Sequence, residues 1–325
     1  MMKYGYYPGC SLGSTAKPYD VSTKAIAGPL GIELEEIEDW NCCGSMEYFA
    51  LNASAAYALV GRNLALASHQ GGLDQLVAPC SACYLNLKKV DNYMGRYEDL
   101  NRRTNEALAA GGLSYQPGSL QVRHLIDIIV HDIGYETLRE KTVKPLQGLK
   151  LAPYYGCLIV RPEFKGDQPL DDPEYPTHLD RLLDALGATV VDFPMKAHCC
   201  GGHMTQISAE TAYELIRQIL ENADSCGADA IVTLCPMCQL NLDAYQSAVN
   251  RHFGTRFNLP ILYFTQMIGL AMGIDPKELG IGKEIVAAAP VLAKIGAPVE
   301  TKPEQRRKPK RDDKSLPMPK LEGEA

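Results

Sequence analysis

CSACYLNL (Cys80 to Leu87) and CPMCQLNL (Cys235 to Leu242) are two versions of one motif, and their correspondence decides how the chain is organised. Each follows an apolar run, LDQLVAPC in one case and ADAIVTLC in the other. Further upstream stands a vicinal pair, Cys42 and Cys43 or Cys199 and Cys200, followed both times by glycine, Gly44 or Gly201. Further still lies a single cysteine that closes YGYYPGC (Tyr4 to Cys10) or APYYGC (Ala152 to Cys157). The series C, CC, CxxC therefore occurs twice. The first gaps are 31 and 41 residues and the second gaps are 36 and 34. Ten of the eleven cysteines fall into the scheme, and only Cys226 lies outside it. A repeat at this period is a duplication, and it sets the architecture before any finer reading.

Both copies share a coarse grammar. A short apolar strand leads to the first cysteine. A helix follows, Tyr19 to Leu30 or His178 to Leu186. A second strand, Glu33 to Ile37 or Thr189 to Phe193, leads to CCG. A further helix covers roughly Ala53 to Gln70 or Ala209 to Ser225. A third strand, Leu76 to Ala78 or Ala230 to Leu234, ends at CxxC, where another helix starts. HLIDIIVHDIG (His124 to Gly134) closes the first copy and is echoed by YFTQMIGLAMGI (Tyr263 to Ile274). Strands alternating with helices predict an α/β fold with a parallel sheet in each copy. The cysteines then sit at the carboxyl ends of strands, where open α/β sheets bind ligands. The expected units are 1–147 and 148–285, with 286–325 as a C-terminal extension. Within it, Lys302 to Lys320 is rich in Lys, Arg, Pro and Asp and reads as a disordered tail.

Apolar residues make up 46% of the 325-residue chain and charged residues 22%, enough to bury a sizeable core. The net charge of −7 argues against nucleic acid as a partner. The longest apolar stretch, Leu259 to Ile274, is shorter than the ~20 residues of a transmembrane helix. MMKYGYYPGC lacks the apolar run and cleavage site of a signal peptide, so a cytoplasmic location is expected. In a reducing compartment, regularly spaced cysteines bind metal or do redox chemistry rather than form stable disulfides.

Several chemistries compete for these thiols. A structural zinc site takes four ligands in a closed tetrahedron. Each copy here offers five, two of them adjacent, and adjacent thiolates suit different irons of an iron–sulfur cluster better than one small ion. A thioredoxin-like dithiol would use either CxxC but leaves three cysteines per copy unexplained. Core packing suits Cys226 alone. Gly44, Gly201 and Gly202 let the backbone approach inorganic sulfur, and Cys83 and Cys238 fall near a helix N-terminus, where the dipole favours thiolate. His198 and His203 flank the second CCG and are the candidate proton donors, or else tune a cluster by hydrogen bonding. Lys17, Arg161 and Lys196 are candidate cations for a substrate anion. His124, His131 and His178 have no positional argument. The chain has no ferredoxin run of C-x2-C-x2-C-x3-C and no GxGxxG after a strand, so electrons come from, or go to, a partner.

The doubled C…CCG…CxxC pattern, from Met1 to about Ile281, resembles the cysteine-rich CCG domains in the B-type subunit of heterodisulfide reductase. That resemblance implies two noncubane [4Fe-4S] clusters, each held by five cysteines. Cys10, Cys42, Cys43, Cys80 and Cys83 would hold one; Cys157, Cys199, Cys200, Cys235 and Cys238 would hold the other. It further implies an oxidoreductase that cleaves a small or protein-bound disulfide to two thiols, or runs thiol or persulfide oxidation in reverse. The implied partner subunits are a ferredoxin-like one, of the C type, and a flavin-bearing one, of the A type. Two other readings stay open. One is an electron-transfer subunit of a quinone- or flavin-linked dehydrogenase with no substrate of its own. The other is a zinc-stabilised scaffold. A cavity between the two cysteine sets would favour a substrate-binding protein over a pure electron conduit.

Overall fold

The computed structural model describes residues 1–45, 47–161, 164 and 169–296. The first copy runs β1 (Met2–Tyr6), α1 (Lys17–Ala27), β2 (Ile32–Glu36), α2 (Glu47–Leu51), α3 (Ala53–His69), β3 (Gln75–Ala78), α4 (Ser81–Arg96), α5 (Glu98–Ala109), β4 (Gln121–His124), α6 (Leu125–Ile128) and, after a π turn, α7 (Gly134–Lys141). The second runs β5 (Lys150–Tyr154), α8 (His178–Ala185), β6 (Thr189–Val190), two 3-10 turns at Pro194–Ala197 and Gly202–Gln206, α9 (Ala209–Ser225), β7 (Ala230–Thr233), α10 (Pro236–Ala244), α11 (Gln246–Phe253), β8 (Ile261–Tyr263), α12 (Phe264–Ala271) and α13 (Ala289–Lys294). The strand orders are β2-β1-β3-β4 and β6-β5-β7-β8, and every pair is parallel.

The central strands β3 and β7 are short, mostly buried runs because helices cover both faces of each sheet, whereas the edge strand β2 carries Glu33, Glu35 and Glu36. On the outer face of the first sheet, Leu76 and Ala78 pack with Val60 and Leu64 of α3 and Val90 of α4. In the second copy, Ala152 and Ile231 pack outward with Ile216 and Leu220 of α9. The residues between them point inward. Tyr4, Tyr6 and Val77 from one sheet and Leu151 and Val232 from the other meet in a single core with Leu179, Met267 and Ile268. The inner helices pack across the copies, α1 on α12 and α7 on α8. Ser22 and Thr265 share a 2.6 Å hydrogen bond there, and the Tyr19 and Tyr263 rings stack at 4.3 Å. The two sheets lie on either side of residue 147, yet their inner faces share one core.

Some boundaries differ from the expected ones. The first strand of each copy stops at Tyr6 or Tyr154, short of the cysteine, because a positive-φ glycine (Gly9, +74°; Gly156, +70°) turns the chain first. The strand expected over Thr189 to Phe193 ends at Val190, since Pro194 opens a 3-10 turn. Among the described residues no helix is long and apolar enough to cross a membrane. The charged stretch Lys302 to Lys320 lies outside the described residues.

Candidate functional site

Each CxxC is built the same way. Cys80 and Cys235 occupy the N-cap positions of α4 and α10, and Cys83 and Cys238 stand in the first turn. There the free N–H groups and the helix dipole favour negative sulfur. The preceding turn brings glycine against sulfur. A Cβ on Gly9 would lie 2.8 Å from Cys83 Sγ, and one on Gly156 would lie 3.0 Å from Cys238 Sγ.

The vicinal-pair loops are held by matching bonds. Tyr7 donates its hydroxyl to the Asn41 carbonyl (2.6 Å), and Tyr154 does the same to His198 (2.7 Å). Asn86 and Asn241, each three residues past the last cysteine, reach back to the loop through Nδ2. Asn86 donates to the carbonyls of Cys43 (3.2 Å) and Ser45 (2.5 Å), and Asn241 to those of Cys200 (3.1 Å) and Gly202 (2.7 Å). The Gly44 N–H donates to Cys42 Sγ at 3.4 Å and the Gly201 N–H to Cys199 Sγ at 3.3 Å. Gly44 (φ +72°) and Gly201 (φ +91°) are left-handed, and a Cβ on Gly44 would meet Tyr48 Cβ at 2.7 Å.

All ten cysteines of the two series line one cavity of about 340 Å³ between the copies. Cys10 and Cys42 are 3.4 Å apart at sulfur, Cys43 and Cys83 3.4 Å, and Cys200 and Cys238 3.5 Å. Cys80 and Cys235 influence each other across the copies, Cys80 being raised and Cys235 lowered. A single hydroxyl, that of Tyr19, donates to the carbonyls just before them, Pro79 at 3.0 Å and Leu234 at 3.2 Å. These contacts polarise the thiols. The Cys10 thiol holds Cys42 far below the usual range, and the Cys157 thiol, helped by the Gly201 N–H and the Arg161 guanidinium, lowers Cys199 to about 6. Cys10 and Cys157 are pushed up in turn. Cys235 is lowered by hydrogen bonds from Cys238 and Cys80. Thiolate is the form that binds metal.

The polar lining is sparse. His203 from the second copy pairs through Nδ1 with Glu47 Oε1 from the first, and both line the cavity. Burial pushes the Glu47 carboxyl up, but the bond and charge of His203, with a backbone N–H and Ser45, together outweigh it and hold the group below its ordinary range. The Ser81 hydroxyl lines the cavity, is buried and has no hydrogen-bond partner among the described residues. His198, expected beside His203, is instead exposed and does not line the cavity, because its segment turns the carbonyl inward to Tyr154 and the ring outward. Lys196 is buried but committed elsewhere: it pairs with Asp180 at 2.9 Å and lies 3.6 Å over the Tyr175 ring. Lys17 is exposed at the start of α1.

His124 is fully buried where β4 meets α6, and burial lowers it to about 4. The roles of Asn86 and Asn241 were foreshadowed by their matched place in CxxCxxN. Glu47 carries no such signal, since its counterpart is Met204.

The cysteine-rich domain described as CCG matches residues 4–88 and 151–243. The chain belongs to the CCG family. Among curated relatives, this CCG protein is 36% identical over 286 residues to the 8-methylmenaquinol:fumarate reductase membrane anchor subunit of Wolinella succinogenes, covering 88% of this chain and 98% of that one. It is 31% identical over 298 residues to the B-type subunit of a CoB-CoM heterodisulfide reductase of Methanosarcina acetivorans, covering 91% and 97%. It is 32% identical over 284 residues to a protein of Archaeoglobus profundus described as like the heterodisulfide reductase B-type subunit, covering 86% and 93%. Among solved structures, a hypothetical protein from Helicobacter pylori shares the fold, with a TM-score of 0.67 at 13% identity over 88% of this chain. The CCG chain spans about half of that structure, 52% of its length. Relatives over 86–91% of its length are thus oxidoreductase components of assemblies with several subunits, and the CCG sites suit iron–sulfur chemistry.

Proposed function

We propose that this chain is the iron–sulfur catalytic subunit of a heterodisulfide reductase-like complex in the cytoplasm, reducing a disulfide to two thiols or running the reverse oxidation. The observation that carries the reading is the shared cavity: both sets of five cysteines face one space, so one bound disulfide can meet both. The donor set fits two [4Fe-4S] clusters of the noncubane type. Each site offers five sulfurs, glycines that admit sulfur closely, N–H groups aimed at thiolate and, in the first, an unpartnered Ser81 hydroxyl. When bound, such clusters supply the two electrons and open iron for sulfur.

The chain's own residues do the rest. Leu158, Met204, Met237 and Ile207 give the cavity an apolar lining beside the S–S bond. Glu47 accepts the His203 Nδ1–H; in the doubly protonated ring Nε2 then carries the proton that a departing thiolate takes up. Electrons arrive from two partner subunits, one ferredoxin-like and one flavin-bearing. A second reading, an electron-transfer subunit without a substrate, is favoured by the quinol-linked relative from Wolinella succinogenes.

The test is iron and acid-labile sulfide per chain, with EPR, on anaerobically purified protein. About eight irons with matching sulfide, and an EPR signal changed by added thiol, support the disulfide reading. The same clusters with a thiol-insensitive signal favour the electron conduit. Zinc without sulfide overturns both.

A further inference from the structure

The cavity that the ten cysteines share has a rim of its own. Glu47 of α2 and His203 of the 3-10 turn Gly202–Gln206 pair across it, so these two elements meet at the edge of the cavity. Four residues beyond each stands a bare aliphatic side chain: Leu51 is 81% exposed and Ile207 78%. Glu47 and Leu51 are one helical turn apart and share a face of α2. Ile207 lines the cavity itself, beside Met204 and Met237. Neither α2 nor the turn contains a buried residue. Leu51 and Ile207 each precede the N-cap of a long helix, Asn52 of α3 or Ser208 of α9. An apolar residue at that position often packs down onto its helix, yet in neither copy does it do so.

The charges do not suit an anion. The described residues that line the cavity include no lysine or arginine, and their one carboxylate is Glu47 at the rim. Lys196 is spent on Asp180, and Lys17 and Arg161 are exposed and lie outside the lining. A carboxylate or phosphate drawn in here would lose water and gain no cation. An aliphatic limb would instead cover Ile207 and Leu51, and the flexible thioethers of Met204 and Met237 would mould to it.

We propose that the substrate of this site is a disulfide carried on uncharged aliphatic limbs, its S–S bond among the cysteines and one limb lying over Ile207 and Leu51. The proposal deepens the disulfide reading above and rests on it. In the step, two electrons and two protons break one S–S bond and give two neutral thiols. The electrons come from the partner subunits or, in the assay below, from a reduced viologen.

The full chain, purified anaerobically with its clusters and supplied with reduced viologen, is offered three disulfides of like size. Dipropyl disulfide is apolar, hydroxyethyl disulfide is neutral but polar, and dithiodipropionate is anionic. We expect kcat/KM to fall in that order, by at least about tenfold from first to last. The ratio of first to last should drop several-fold in Ile207→Lys and in Leu51→Lys. It should keep its wild-type value in Val143→Lys, where an aliphatic side chain that is 73% exposed does not line the cavity. All three side chains are exposed, so fold and iron content should hold in each variant. EPR gives a readout apart from turnover: propanethiol should alter the cluster signal at lower concentration than mercaptopropionate. Equal use of the three disulfides, a preference for dithiodipropionate, or a ratio that neither rim variant moves would overturn the substrate class and leave disulfide reduction standing. No reduction of any of them, with a signal indifferent to both thiols, overturns the two together.

Discussion

Asn86 and Asn241 each tie two loop carbonyls to the helix that carries the last cysteines. Asn241→Ala leaves both carbonyls of its loop without that donor in a buried site. We expect a loss of about 1–3 kcal/mol in denaturant unfolding, with iron lost from the second site first. Gly9→Ala puts a Cβ 2.8 Å from Cys83 Sγ on a backbone at φ +74°. Iron and sulfide should fall to one cluster per chain, whereas Gly13→Ala, whose Cβ meets only the Cys10 carbonyl at 3.7 Å, should keep two. At this scale the repeat made the cysteines and the paired asparagines readable, because two aligned copies expose what each position shares. It was silent on Glu47, and it did not show that His198 stands outside the cavity that His203 lines. A repeat marks only what both copies keep, and nearness to CCG along the chain does not say whether a ring or its carbonyl faces inward.

The strand and helix sequence was readable from apolar runs and glycines, and the helix starts at CxxC follow from N-capping by Cys80 and Cys235. Element ends were less readable, because they depend on local turns such as those at Gly9 and Pro194. The β4–α6 junction shows an electrostatic device of the same scale. Arg123, 8% exposed, pairs with Asp127 at 2.7 Å and with Asp132 at 2.5 Å. Burial pulls Asp127 upward, but Arg123 outweighs it and holds the carboxyl below its ordinary value. With a depressed folded value, its contribution is complete above the unfolded pKa of about 4 and is lost as pH falls through the folded one. Unfolding followed between neutral pH and pH 2 should show this acid loss in the wild type and a flatter profile in Asp127→Asn.

The whole molecule holds together through the inner core, to which both sheets contribute. The duplication was plain in the sequence, but the sharing was not: an apolar strand face looks the same whether its own copy or the other covers it. Fragments 1–147 and 148–296 expressed separately would each leave that face bare. Each is expected to be insoluble or to bind hydrophobic dye, and the two co-expressed should reassemble into a complex with native far-UV and near-UV spectra. Separate folding of either fragment to a cooperative, monomeric state would contradict the shared core.

The Tyr19 hydroxyl donates to Pro79 and Leu234, which are counterparts in the two copies. At 3.0 and 3.2 Å it stands nearly midway between them, at the boundary of the two copies. Two identical subunits meeting there would each bring a Tyr19 to a place with room for one. A symmetric homodimer could not build this strut; a covalently fused pair can, because fusion lets one half keep a residue that the other gives up. Joining the halves thus did more than fix their stoichiometry. It opened the boundary between the halves to asymmetric chemistry, and substitutions there are free to make the two sites diverge.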